Sequence, residues 1–411
     1  MQRAVAALFV GLLVATSGAI SRPLAVGPTT LAADGAAALS TFLRDSVMRG
    51  DAPGVVAMVV SADRVVYQGA FGTLNAARQA DMTPDAIFRI ASMTKPLTST
   101  AVMMLVEQGK LRLDDEVARY LPQFKSPRVL TAVDAARGTF ESRPATKAMT
   151  IRQLLTHTSG IGYSWSDPGL AVVQRATKST NDSELPLVNE PGEQWTYGAS
   201  TRVLGDLVQV VTGQPIDAFL AAQLFEPLGM IDTAFDVPAS KHARVVTVHQ
   251  RTGSQLTETP NPASLAVPAR GDGGLYSTAG DYAKFVQLVL EGGRRLLLSP
   301  DTVAQMTRNQ MGTLRVRLQP VADAGRSKPY PLGVGEDTWG LGFQIAGPSA
   351  AGHAKRRPGS LSWAGINNTH FFIDRATGIG VIVLMQVLPF YDEGAMRVFG
   401  GFEERVYRHL R

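Results

Sequence analysis

The stretch Phe88 to Thr100 reads F-R-I-A-S-M-T-K-P-L-T-S-T, and the apolar run Ala101 to Val106 follows it at once. Within it lies Ser92-Met93-Thr94-Lys95, a serine and a lysine three positions apart. On a helix such a pair shares one face, about one turn apart. A serine hydroxyl is a weak nucleophile until a neighbour takes its proton, and an amine of lowered pKa can do so. A Ser-x-x-Lys match is common by chance, so its weight depends on what surrounds it.

Working outward, the upstream flank reads as a hairpin. The apolar stretches 55–60 and 64–71 are joined by Ser61-Ala62-Asp63. Before the hairpin, residues 34–48 place Ala37, Leu39, Phe42, Leu43 and Val47 at helical spacing, and Pro53-Gly54 stops that helix. Downstream, the chain reads as mainly helical to about Gly229. Helices are expected at 101–109, 150–156, 200–212 and 216–225, several of them closed by glycine. A further helix is expected at 281–290. Strands are then expected at 341–346, 361–366, 370–373 and 379–385, and a last helix at 396–410. Strands at both ends and helices between them imply an α+β fold. One antiparallel sheet is built from both termini and flanked by helices, with a mostly α-helical inserted subdomain. The expected division is a sheet part over 34–95 and 335–411 and a helical part over 96–334.

The 411 residues are 45% hydrophobic and 18% charged, an ordinary globular balance. The net charge of +5 is not gathered into one block. Its densest spots are Arg294-Arg295 and Lys355-Arg356-Arg357, which does not suit nucleic-acid binding. The absence of cysteine excludes disulfides, thiolate metal sites and cysteine nucleophiles. No His-x-x-x-His pair or acidic cluster suggests a metal, so neither metal nor cofactor is expected. Arg3, the apolar run Ala4 to Val14 and Ala15-Thr16-Ser17-Gly18-Ala19 form the pattern of a secretory signal peptide over 1–19. An uncleaved anchor is the alternative reading. A linker over 20–33 then leads to a domain over 34–411 that is expected to be periplasmic or secreted.

Two further segments could complete a site with Ser92 and Lys95. In Pro191-Gly192-Glu193-Gln194-Trp195-Thr196-Tyr197-Gly198-Ala199-Ser200, Tyr197 could face Ser92 and pass protons. The plain alternative is a turn capped by Ser200. In Ser360-Leu361-Ser362-Trp363-Ala364-Gly365-Ile366, an edge strand would line the site. Gly365 would let the backbone approach a ligand, and the Ile366 N–H would join that of Ser92 as an oxyanion hole. Here the plain alternative is a buried strand carrying an aromatic.

Together the three segments resemble the serine hydrolases related to class C β-lactamases, penicillin-binding D-alanyl-D-alanine peptidases and family VIII carboxylesterases. Leu154-Leu155-Thr156-His157-Thr158-Ser159-Gly160, Gly273-Gly274-Leu275-Tyr276-Ser277-Thr278 and Trp339-Gly340-Leu341-Gly342-Phe343 extend the resemblance over the mature chain. It implies a β-lactamase-like fold, with Ser92 as the acylated nucleophile and Lys95 and Tyr197 sharing the general-base role. Trp363, Ala364 and Gly365 would occupy the third motif, and with Ile366 they would form the oxyanion and substrate-binding strand.

Two positions depart from the lactamase pattern. Ala199 stands where that family often has the asparagine of Tyr-x-Asn, and Trp363 stands where the lysine of Lys-Thr-Gly is found. The amide and the cation are thus both lost, which favours small-molecule esters over β-lactams and peptides. A β-lactamase or D-alanyl-D-alanine carboxypeptidase remains an alternative, with Arg356 or Arg357 recognising a carboxylate. A catalytically silent envelope binding protein is another. Tyr163 and Trp165 could line an acyl pocket, and Gly271-Asp272-Gly273-Gly274 reads as a turn near the site. His157 reads as a structural residue satisfied by backbone groups.

Overall fold

The computed structural model describes residues 29–293, 297–349 and 355–411. The expected signal peptide and most of the linker, together with Arg294-Arg295, lie outside the described residues. No described helix is long and apolar enough to cross a membrane.

The main sheet has eight antiparallel strands. In spatial order they are Thr338–Trp339, Gln344–Ile345, Leu361–Gly365, Thr369–Asp374, Ile379–Leu384, Gly54–Val60, Val65–Asn75 and Ala80–Asp81. The two ends of the chain meet where Val56 pairs with Leu384 and Val60 with Gly380. The sheet from both termini and the α+β class are therefore as expected.

Gly54–Val60 reads as a continuous apolar run because both of its faces are covered. Val55, Ala57 and Val59 pack with Leu39, Leu43, Phe399 and Phe402 from the terminal helices Gly35–Met48 and Glu393–His409. Val56, Met58 and Val60 face the opposite core, which they share with Val286 of helix Ala279–Leu290 and Leu97 of helix Thr94–Glu107. Burying each such side chain fully is worth roughly 1.5–3 kcal/mol.

Helix Thr94–Glu107 has no exposed face over its first three turns, since every residue from Thr94 to Leu105 is buried. A helix with no exposed face lies within a core, here with Thr94, Thr98, Ser99 and Thr100 buried among its apolar residues. This one carries Lys95 into the core with it.

The structure differs from the sequence reading in several segments. Hairpin Arg128–Asp134/Thr139–Pro144 interrupts the region read as helical, and Val248–Thr252 pairs with Gln255–Thr259. The first is largely exposed and the second is built mostly of polar residues, so neither shows the apolar alternation that would reveal it. Helix Ala279–Leu290, read with the helical part, packs on the main sheet against strands Gly54–Val60, Thr369–Asp374 and Ile379–Leu384. The expected strand 341–346 shortens to Gln344–Ile345 because Gly340 and Gly342 hold a turn there, Gly342 at φ +103°.

Candidate active site

Ser92 sits in the single 3₁₀ turn Ala91–Met93 that leads into helix Thr94–Glu107. Ala91, just before it, has φ +45°, a left-handed conformation costing an L-residue roughly 1–2 kcal/mol. Several long-range contacts hold the turn in place. Ile90 N–H donates to the Leu275 carbonyl at 3.0 Å, and Tyr282 Oη donates to the Met93 carbonyl at 3.1 Å. These contacts give the Gly273-Gly274-Leu275 segment a physical role: it grips the nucleophile turn.

Lys95 Nζ lies 3.0 Å from Ser92 Oγ and donates to the Asp272 main-chain carbonyl at 2.7 Å. Lys95 is only 1% exposed. Burial pulls its pKa down from 10.5 to about 7, reinforced by Arg270 and partly opposed by the Asp272 carboxylate. The ammonium also lies 5.0 Å from the Tyr197 ring centre and 5.4 Å from that of Tyr163. These π-faces favour the cation, but desolvation outweighs them.

Tyr197 is buried, which raises its phenol well above the usual 10.0. Contacts with the Ser92 hydroxyl and the Trp363 indole pull it part of the way back. The Trp363 N–H has no well-aligned acceptor among the described residues, so it lies near the phenol without completing a hydrogen bond to it. The loop carrying Tyr197 is pinned by the His157–Gly160 segment. Thr196 N–H donates to the His157 carbonyl at 2.8 Å, Gly192 N–H to the Thr158 carbonyl at 2.7 Å, and the Ser159 and Ser200 hydroxyls meet at 2.8 Å. His157 itself lies against Tyr197, ring centres 5.0 Å apart, and burial holds it well below 6.5, neutral. Its Nδ1 has no partner among the described residues, so its ring is not satisfied by backbone groups as expected from the sequence.

Strand Leu361–Gly365 matches expectation only in part. Thr369–Asp374 flanks all of it on one side, whereas on the other Gln344–Ile345 pairs only with Leu361 and Ser362, so the strand is interior at its start and has the expected edge only over Trp363–Gly365. Trp363 is 5% exposed and packs among Tyr197, Trp339 and Tyr330 at 4.8, 4.7 and 5.9 Å. It supports the phenol from behind and does not line the cavity at Ser92. Ala364 is buried likewise. A Cβ on Gly365 would meet the Ile90 carbonyl oxygen at 2.3 Å. The glycine therefore lets the strand close on the turn before Ser92, and what approaches it is the protein's own backbone. Of Trp363, Ala364, Gly365 and Ile366, only Ile366, just past the end of the strand, lines the cavity with Ser92.

The cavity has a volume of about 440 Å³, and Ser92, Tyr163, Trp165, Ala199 and Asp272 are among its walls. Asp272 was legible in the sequence only as part of a turn. Its carboxylate accepts from Tyr163 Oη at 2.8 Å, and Arg270 Nε lies 3.2 Å from the other oxygen, off the line of a good hydrogen bond. The turn is tightly seated, because a Cβ on Gly271 would meet the Thr201 carbonyl at 2.2 Å. A polar residue between glycines signals a tight turn, yet nothing local links it to a lysine 177 positions away.

Arg356, expected as a possible carboxylate receptor, is 3% exposed and bound to Glu403, with Nη2–Oε2 at 2.7 Å. It also stacks over Phe372 at 4.4 Å. It is committed to the core. Among the described residues no group of His, Asp and Glu could hold a metal ion.

A model of the β-lactamase family matches residues 36–398. The esterase EstB of Burkholderia gladioli is 31% identical over 371 residues, covering 80% of this chain and 85% of its own. Monacolin J acid methylbutanoyltransferase of Aspergillus terreus is 30% identical over 401 residues, covering 92% and 96%. A solved structure of simvastatin synthase from Aspergillus terreus superposes with a TM-score of 0.79 at 28% identity, covering 92% of this chain and 95% of that one.

Proposed function

This chain belongs to the β-lactamase family of serine hydrolases and acyltransferases acting on esters, and on that premise we propose that it is an exported carboxylesterase with Ser92 as its nucleophile. The observation that carries the reading is the buried Lys95 amine 3.0 Å from Ser92 Oγ, at the wall of an open cavity. A lysine held near 7 is substantially neutral at neutral pH and can accept a proton. Tyr197, held protonated, is the second member of the relay.

In the proposed reaction Ser92 Oγ attacks the ester carbonyl carbon and its proton passes to Lys95 Nζ. The oxyanion is received by the N–H groups of Ser92 and Ile366. The ester C–O bond breaks, and the leaving alkoxide takes a proton from Lys95 directly or through Tyr197. Water then attacks the acyl-enzyme, its proton goes to the same pair, and Ser92 Oγ is restored with release of the acid. Interception by an alcohol in place of water would give acyl transfer by the same steps.

Esters are favoured over β-lactams and peptides by the non-polar Ala199, by Trp363 buried behind Tyr197, and by Arg356 locked to Glu403. The decisive test combines labelling with a fluorophosphonate and hydrolysis of a short p-nitrophenyl ester. Wild type should label and turn over; Ser92→Ala should do neither. Full hydrolysis by Ser92→Ala would exclude the mechanism, and failure of wild type to label would favour a silent binding protein. A larger kcat/KM for a chromogenic cephalosporin than for the ester would favour the lactamase alternative. Export rests on the Arg3 and Ala4–Val14 pattern.

A further inference from the structure

Four guanidinium groups line the cavity at Ser92, and they come from separate segments. Arg175 lies on helix Pro168–Thr177, Arg202 on helix Ser200–Thr212, Arg270 before the Asp272 turn, and Arg326 on a loop. Three carboxylates share the wall, leaving one net positive charge. Each of the three is engaged. Asp182 Oδ1 accepts from Ser164 N–H at 2.9 Å, Asp323 Oδ1 from Gly325 N–H at 3.0 Å, and Asp272 is held by Tyr163 and Arg270. Arg326 lies over the Trp165 ring at 5.6 Å. Arg175 and Arg202 have no ion pair among the described residues; burial raises the pKa of Asp206, one turn along the same helix, and the Arg202 charge only partly opposes that rise at longer range. Ala199 and Arg202 are one turn apart and both reach the cavity. Ser92 and Arg202 face the same cavity, and the small side chain at Ala199 takes up little of its space.

From this arrangement we infer that the enzyme selects esters bearing a carboxylate away from the scissile bond, received by Arg175 and Arg202 on the helical wall. The inference rests on the esterase reading above. A guanidinium fork matches a planar carboxylate with two parallel hydrogen bonds, and one net positive charge suits a monoanion better than a phosphate dianion. The partial screening of this wide cavity makes the effect one of binding, so it should be read mainly in KM.

The test compares chain-matched esters with the charge on either side of the scissile bond. One pair is the mono-p-nitrophenyl ester of adipic acid against p-nitrophenyl hexanoate. The other is 4-acetoxybenzoate against 4-methylphenyl acetate. The expected result is a higher kcat/KM for the anionic member of at least one pair. That preference should fall roughly tenfold in Arg202→Gln and again in Arg175→Gln/Arg202→Gln. It should also weaken between about 0.05 and about 0.5 M NaCl. Preference for the neutral member in both pairs would overturn the inference while leaving the esterase reading intact. So would an anionic preference that survives in the double variant, whose fold is checked by its fluorophosphonate labelling. Absence of Ser92-dependent turnover for all four esters would overturn the esterase reading and the inference together.

Discussion

The side-chain amine of Lys95 lies 2.7 Å from the main-chain carbonyl oxygen of Asp272. This contact aims Nζ at Ser92 Oγ and fixes the distance between base and nucleophile. It uses the backbone of a turn whose own side chain, the Asp272 carboxylate, adjusts the charge on the lysine. One residue thus positions the amine and also partly offsets the larger effect of burial on its basicity.

Because burial holds Lys95 at about 7, kcat/KM for a neutral ester should rise with pH and level off above an apparent midpoint near that value. The sign follows from chemistry: below the midpoint the ammonium has no lone pair to take the serine proton. Tyr197 is raised, so it contributes no descending limb in the neutral range. A stopped-rate profile that is flat from about pH 5 to about pH 9 would rule Lys95 out as the base.

The same midpoint should move in opposite directions in two variants. Asp272→Asn removes a negative charge that favours the ammonium, so the rise should begin at lower pH. Arg270→Gln removes a positive charge that opposes it, so the rise should begin at higher pH. Both midpoints shifting the same way would mean that the charges act through structure and not through the field at Lys95.

Gly365→Ala should cripple the enzyme without touching any reacting atom. The added methyl meets the Ile90 carbonyl at 2.3 Å, and backbone cannot yield as a side chain can. Displacing the nucleophile turn by a fraction of an ångström should lower kcat about 100-fold. Circular dichroism should show the fold retained, and labelling of Ser92 by a fluorophosphonate should slow in parallel.

Arg356→Met should leave Glu403 buried without its partner, at a cost of about 3–5 kcal/mol, seen as a lower Tm and urea midpoint. The ratio of ester to cephalosporin turnover should not change. A selective loss of cephalosporin turnover would restore Arg356 as a carboxylate receptor.

If the N-terminal pattern directs export, mass spectrometry of the protein recovered outside the cytoplasm should find a mature chain beginning near Ile20. A full-length chain in the membrane fraction would support the uncleaved anchor.

Much of this fold was legible locally. Helix Ser200–Thr212 coincides with its expected span because its apolar positions repeat at helical spacing and Gly213 closes it at φ +72°. The hairpin Gly54–Val60/Val65–Asn75 was legible from its apolar runs. The largely exposed hairpin Arg128–Asp134/Thr139–Pro144 was not, because its few inward residues, Val129 and Leu130 side by side and Phe140 on the partner strand, set no regular alternation to read. Strand Leu361–Gly365 was found, but not what its side chains pack against. An aromatic next to a glycine looks the same in sequence whether it faces a ligand or a neighbouring strand.

The sequence by itself determined that Ser92 and Lys95 meet, since residues three apart are neighbours by local helical geometry. It also determined the meeting of the chain's two ends in one sheet, through apolar runs long enough to be buried on both sides. Only the tertiary structure decided how basic Lys95 is, because that depends on its complete enclosure and on charges 175 and 177 positions away in the chain. It also decided why position 365 is glycine and which arginines face the cavity and which is sealed in the core. Each of these depends on what the fold brings near a residue, and desolvation, steric closure and electrostatic fields act through space with no period along the chain.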